Sequence, residues 1–304
     1  MKKVVCIGSL NVDILLSVDE FCEDDGEQVI KKIDIFPGGQ AGNIAAGLGK
    51  LGKNTYFFGN IGSDNYTRVL LDDFDNLNIN YSFAKKTYNP NNFVYCLVNG
   101  SGERRLYTYN YADFTAEDFS EELYKDTEFI VFTSLIKEDV IEIYTEIAKK
   151  AKSRGIKIAL DPGNIFARLE FEKLKPLLEF CDYFFPSLNE VKLLVGSMEN
   201  ISNITELVPN FIVTCGDQGV MFFKDNNENK IPNPKKVDKI DSTGAGDCFV
   251  AGFIAGLLDG KTEKQAINFA MHAALLSITK KGARSMPSAE EINKFLSEDI
   301  YKEI

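Results

Sequence analysis

The chain has 304 residues, 44% of them hydrophobic, and a formal net charge of -11. That is enough apolar content to bury a large core without disulfides, and the acidic balance argues against nucleic acid and anionic membrane surfaces as partners. A single histidine, His272, excludes most Ser-His-Asp, Cys-His and multi-histidine zinc schemes, which leaves carboxylates, backbone amides, Lys/Arg or a bound ion to run any chemistry.

Met1-Lys2-Lys3 followed by Val4 to Ile7 has the outline of a signal peptide. Gly8, Ser9, Asn11 and Asp13 interrupt the apolar run, and no small-residue cleavage site follows, so a buried strand is expected. No apolar run reaches the roughly 20 residues of a spanning helix. Six single cysteines (6, 22, 96, 181, 215 and 248), none in a CxxC pair, read as reduced thiols of a cytoplasmic protein.

Residues from about 13 to 36 alternate like strands without an intervening helix. Gly47-Leu48-Gly49-Lys50-Leu51-Gly52 matches GxGxxG, but Asn43 to Leu48 is already helical in pattern. The run is therefore read as a small-residue helix face with a C-terminal glycine, and a GxxxxGK[ST] phosphate loop is absent. Residues from about 92 to 109 form a second alternating segment. Phe93 to Val98, a turn at Asn99-Gly100-Ser101-Gly102, and Arg104 to Tyr109 give a hairpin signal.

After residue 125 short strands alternate with helices. Strands are expected at 129–133, 156–160, 183–185, 211–214 and 220–223, and helices at 139–154, 169–180, 245–258 and 263–280. This rhythm predicts a mainly parallel sheet covered by helices on both faces, with the two irregular segments forming a small antiparallel sheet beside it. No linker or internal repeat divides the chain.

The strongest local feature is Asp241-Ser242-Thr243-Gly244-Ala245-Gly246-Asp247, running into an apolar helix. Small residues and two glycines stand where a loop enters that helix, and unsatisfied amides at such a point make an anion site. Asp247 falls in the first turn. A carboxylate there suits a base that takes a proton from a hydroxyl attacking a phosphate. The plain alternative is a helix cap, where Asp and Gly are common.

This segment resembles the second signature of the PfkB, or ribokinase-like, kinase family. Gly38-Gly39-Gln40-Ala41-Gly42-Asn43-Ile44-Ala45-Ala46 resembles the first. Gly8-Ser9-Leu10-Asn11-Val12-Asp13 is similar to the family's opening strand with its N-x-D substrate contacts. Val213 to Gly219 resembles its T-x-G-x-x-G nucleotide turn, and Lys280 to Pro287 its closing K-G-A loop, one residue shorter before the proline. The resemblance spans nearly the whole chain. It implies an α/β, ribokinase-like three-layer sandwich over residues 1–304, with a mainly parallel central sheet and a β-sheet lid from about 13–36 and 92–109.

It also implies a reaction: phosphorylation by ATP, with Mg2+, of a hydroxyl (a primary alcohol) on a sugar or sugar derivative. Asp247 would be the base, and Gly244, Ala245 and Gly246 the amides of an anion hole. Asn11, Asp13, Gly38, Gly39 and Asn43 would hold the substrate, with turn and cap chemistry as their alternative. Thr214, Gly216, Gly219 and Gly282 would bind nucleotide. Glu190 would hold Mg2+ through water. Asp241 and Thr243 resemble a loop for a monovalent cation such as K+, with a structural cap as the alternative.

Several positions depart from the family. Its N-x-x-E motif stands here as Ser187-Leu188-Asn189-Glu190. Asp161-Pro162-Gly163-Asn164 resembles a family turn with one residue inserted and is given no role. Ribokinases carry glutamate and lysine where this chain has Ser134 and Gln40, so ribose is not the default substrate. Of Arg104 and Arg105 only one can face the site, unless both are solvated edge charges. Tyr107, Tyr109 and Tyr111 line a sugar or base pocket, pack the lid, or form a homodimer seam. His272 is assigned to packing or to the edge of an adenine. A nucleoside kinase of the same fold and a non-catalytic sugar- or nucleotide-binding regulator remain as alternative functions.

Overall fold

The structure, a computed structural model, describes residues 2–225 and 227–300. Its centre is an eight-stranded sheet. In spatial order the strands are Asn227–Ile231, Val220–Lys224, Asn210–Thr214, Tyr183–Phe184, Lys157–Asp161, Thr127–Thr133, Lys3–Ile7 and Asn54–Phe58. The last six run parallel, and the first two add an antiparallel edge. Parallel strands covered on both faces should be apolar throughout, and Lys3–Ile7 is buried at every position. Along it Val4 and Cys6 enter one core while Val5 and Ile7 enter the other. Helices Gln40–Lys50, Thr67–Asn76, Ala245–Leu258 and Glu263–Ser277 cover the first face. Val140–Lys152, Phe171–Leu178 and Leu188–Val195 cover the second. This is the expected three-layer sandwich.

Helix Ala245–Leu258 begins and ends where its sequence predicts, and residues 248–256 are all buried. It is apolar all round because helices pack on more than one side of it. Gly47 admits Ala251 from one neighbour, where a Cβ would stand only 2.7 Å from the alanine methyl. Gly252 and Gly256 lie against Ala270 and Ala266 of another. The GxGxxG match is thus a small-residue helix face ending at Gly52, whose φ is 72°. The helix expected to reach residue 280 stops at Ser277.

The lid is a separate four-stranded sheet, in the order Lys32–Gly38, Asn11–Ser17, Asn92–Val98, Arg104–Tyr109. It is not wholly antiparallel as expected. Asn11–Ser17 and Asn92–Val98 pair in parallel. The chain leaves the lid, crosses the body through residues 40–86 and re-enters in the same direction, so the two central strands cannot oppose each other. Among the described residues, no helix is long and apolar enough to cross a membrane.

Candidate active site

Helix Ala245–Leu258 holds the centre of the site. Its N-cap, Gly244, is left-handed (φ 76°, ψ 4°), and no side chain caps the helix. Only glycine suits this position: the φ is positive, and a Cβ would lie 2.9 Å from backbone carbon of Ala283. The uncapped start opens on a cleft of about 550 Å³ lined by Gly244, Ala245, Gly246 and Asp247. Bare amides and the positive end of the helix dipole make that end attractive to an anion. Ala245 already gives its amide to the Ser242 carbonyl at 3.2 Å. A Cβ at Gly246 would meet nothing within 4 Å, so the surface there stays open.

Asp247 meets Asn43 across 204 residues of sequence: Asn43 Nδ2 donates to Asp247 Oδ2 at 2.8 Å. Burial raises the carboxyl pKa to about 7, the Asn43 bond opposes that rise, and the charges of Asp13 and Glu190 add to it. A carboxylate poised near neutrality is suited to general-base work. Asp161 lines the same cleft and accepts from the Gly163 amide at 3.1 Å. Burial, then the charges of Asp247 and Glu190, hold its pKa well above the ordinary carboxylate range.

The sugar-side residues converge through backbone crowding. Asn11 pairs with Gly38, and Asp13 with Phe36, in the lid register. A Cβ on Gly38 would run into the Asp13 carboxyl; one on Gly39 (φ 85°) would lie 2.6 Å from the Ser9 carbonyl oxygen. Asn11 Oδ1 is buried without a hydrogen-bond partner. Buried acceptors are nearly always satisfied, so this atom suits a bound hydroxyl donor. Burial lifts Asp13 to about 6, countered by the positive charge of Arg284. Gln40 Oε1 accepts from the Ser134 amide at 3.2 Å and from its hydroxyl at 3.1 Å, so the two positions that depart from ribokinases share one contact.

An apolar cavity of about 190 Å³ adjoins the cleft. Thr214, Gly216 and Gly219 border it, with Val220, Met271, Leu275 and Ile278. Its flat apolar walls beside a polar cleft fit a purine with its phosphates directed at the helix start. Gly282 instead donates its amide to Asp241 Oδ2 at 3.1 Å. Asp241 Oδ1 accepts from the Thr243 amide and hydroxyl at 3.0 and 2.7 Å. Asp241 therefore clamps its own loop to the closing loop. Ser187 and Glu190 form a reciprocal capping box, which explains how serine replaces the family asparagine without loss of the helix start. Glu190 still lines the cleft, whereas Asn189 does not.

On the lid, Arg104 lies 3.9 Å from Asp241, whereas Arg105 stacks on Phe21 at 4.3 Å. One arginine faces the site and the other does not, as strand alternation requires. Tyr107 and Tyr109 pair with Tyr95 and Phe93, which stand in register with Ile14 and Val12, on the face opposite Asp13. Phe36 and Leu106 occupy the Asp13 face instead. His272 is 1% exposed, with Nδ1 2.8 Å from the Asn268 carbonyl and its ring edge-on to Phe295, so packing accounts for it. Sequence reasoning missed Asp161 and Arg284: a buried carboxyl and a buried guanidinium look like loop residues until the fold surrounds them.

The pfkB family carbohydrate kinase model matches residues 1–290. The chain is 29% identical over 310 residues to a ribokinase of Staphylococcus aureus (strain COL), covering 96% of this chain and 99% of that one. It is 28% identical over 304 residues to an ATP-dependent ribose-1-phosphate kinase of Halopiger xanaduensis, covering 98% and 99%. Its fold superposes on the crystal structure of a ribokinase from Thermotoga maritima with a TM-score of 0.85 at 26% identity, covering 98% and 100%. With the match running through residues 1–290, the chain belongs to the pfkB family and is an ATP-dependent carbohydrate kinase.

Proposed function

We propose that the chain transfers the γ-phosphoryl group of ATP to a primary hydroxyl of a sugar or sugar derivative, with Asp247 as general base. One observation carries the assignment: Asp247, bonded to Asn43 at 2.8 Å, stands in the first turn of an uncapped helix that opens on the cleft. Asn11, Asp13, Gly38, Gly39 and Asn43 hold the sugar, and the unpaired Asn11 Oδ1 receives one of its hydroxyls. Asp247 takes the proton of the attacking hydroxyl. Gly244, Ala245 and Gly246 line the place where negative charge gathers on the transferring group. Donors already in place there lower the barrier because they need not reorganise. The lid, drawn from about residues 13–36 and 92–109 within a single domain, excludes water.

Thr214, Gly216 and Gly219 border the purine slot. Gly282 acts by holding the closing loop beneath it. Glu190 commits one carboxylate oxygen to the Ser187 amide at 2.7 Å, which leaves the other for the hydration shell of Mg2+. Such an ion supplies charge neutralisation to the phosphates. Asp241 and Thr243 are assigned first to clamping the loop, and a K+ requirement beside them is read from activity after K+ is exchanged for Li+. Nothing in the lid favours a base stacked on tyrosines, since Tyr107 and Tyr109 face away from Asp13. The Gln40–Ser134 contact is neutral where ribokinases carry lysine and glutamate, which supports a substrate differing from ribose at that end.

The test is turnover, followed by ADP release, on a panel of pentoses, hexoses, their phosphates and ribonucleosides. Asp247→Asn should lower kcat by about 10²-fold or more on the best substrate. A variant turning over at the wild-type rate would remove Asp247 as the base. Faster turnover of nucleosides than of sugars would favour the nucleoside reading.

A further inference from the structure

Arg284 follows directly on the backbone that packs against the anion-hole loop. Gly282 bonds to Asp241, and Ala283 lies against Gly244. The Arg284 side chain then turns to the sugar side. Nε donates to Asn43 Oδ1 at 3.2 Å, Nη2 donates to the Gly38 carbonyl at 3.1 Å, and Nη1 pairs with Asp73. The guanidinium lies 5.4 Å over the Phe74 ring, and the side chain is 10% exposed. Gly42 makes room for it, since a Cβ there would stand 2.7 Å from Nη2.

These contacts decide which way the Asn43 amide points. An arginine only donates, whereas an amide accepts at one end and donates at the other. With Oδ1 held by Arg284, Nδ2 is the end left for Asp247. Rotated by half a turn, Asn43 would press its oxygen on a carboxylate and its NH2 on a guanidinium, and both contacts would be repulsive. The charges that face Asp247 are those of Asp13 and Glu190, with Asp161 coupled to it in the same cleft. Arg284 offsets Asp13 among them.

Resting on the reading of Asp247 as the base, we propose that Arg284 is its positioning residue. It locks the Asn43 amide so that Nδ2 holds the carboxylate in line, and it straps the phosphate end of the site to the sugar end.

Arg284→Met keeps the stem and removes every donor. It should lower kcat by about 10²-fold, the scale of a misplaced reacting group. The KM for ATP should move by less than about threefold, because only transition-state geometry is disturbed. The acid limb of kcat against pH should shift upward, since Asp247 loses the donor that favours its ionised form. Arg284→Lys should recover part of kcat. Gly42→Ala, which displaces the guanidinium but keeps its charge, should repeat the pattern more weakly, and it decides the matter if Arg284→Met does not fold. An arginine that merely plugs the fold would lower the melting temperature and leave the acid limb in place. The inference fails if a folded Arg284→Met or Gly42→Ala protein keeps kcat within about twofold and an unshifted limb. Asp247→Asn in the same assay separates the two ideas. If it is inactive beside a wild-type-like Arg284→Met, only the strap is wrong; if it turns over normally, the base itself is wrong.

Discussion

Asp247 has opposing demands placed on it. Burial raises its pKa to about 7, and catalysis requires the ionised form. In the free enzyme, kcat/KM should therefore fall about tenfold per pH unit below pH 7, as the base protonates. Stability should run the other way. A carboxyl whose folded pKa lies above its unfolded value of 3.8 favours folding most below that lower value. That advantage disappears as pH rises through about 7. Replacing it with a neutral amide removes the ionised, desolvated group. Asp247→Asn should thus melt higher than the wild type at pH 8, and the gap should close as pH falls from 7 towards 4. Melting curves at both ends of that range check the sign. An Asn variant that melts lower than the wild type at pH 8 would mean that Asp247 is not a strained, functional carboxylate. Such groups sit at active sites because activity there outweighs stability.

At the scale of elements, two glycines in one loop should respond oppositely to the same substitution. Gly244 holds a left-handed cap against Ala283. Gly244→Ala meets both a backbone conformation costing about 1–2 kcal/mol and a steric collision, so it should lower the melting temperature and the activity together. Gly246 lies inside the helix with open space around it. Gly246→Ala should cost no stability and gain up to about 1 kcal/mol, while its methyl group intrudes where phosphate charge must approach and lowers kcat. The helix from Ala245 to Leu258 is legible in the sequence because local signals agree there: a glycine stop, an acidic first turn and an unbroken apolar run. The GxGxxG match misleads only if its flanks are ignored, since its glycines serve close packing on Ala251. Ser187 and Glu190 resemble a weakened metal motif, yet the spacing S-x-x-E states the capping box directly. Ser187→Ala should cost about 1 kcal/mol, measured by denaturant titration.

At the scale of the molecule, legibility falls with sequence separation. Strand identity is a local property, so the lid segments can be found from sequence. Which strands pair is not local, so the parallel contact of Asn11–Ser17 with Asn92–Val98 cannot. Arg284 is the extreme case, reaching Asn43 across 241 positions. The lid also leaves a surface whose partner lies beyond one chain. Ile35, Ile14, Tyr95 and Tyr107 form one row across its four strands. Ile14 is buried, but Ile35, Tyr95 and Tyr107 are 41%, 37% and 59% exposed, and the neighbouring Ile33 is 57% exposed. An exposed apolar row of this kind marks an interaction site. A second copy is the simplest occupant, because a two-fold contact lets the same row cover itself. We propose that the lid is a homodimer seam. Sedimentation equilibrium should give twice the 34.0 kDa chain mass. Ile35→Asp should shift the population to monomer and raise the KM for the sugar, since an uncovered lid holds its substrate less well. Wild-type protein that sediments as a monomer at assay concentrations would leave the row to some other partner and rule out the seam.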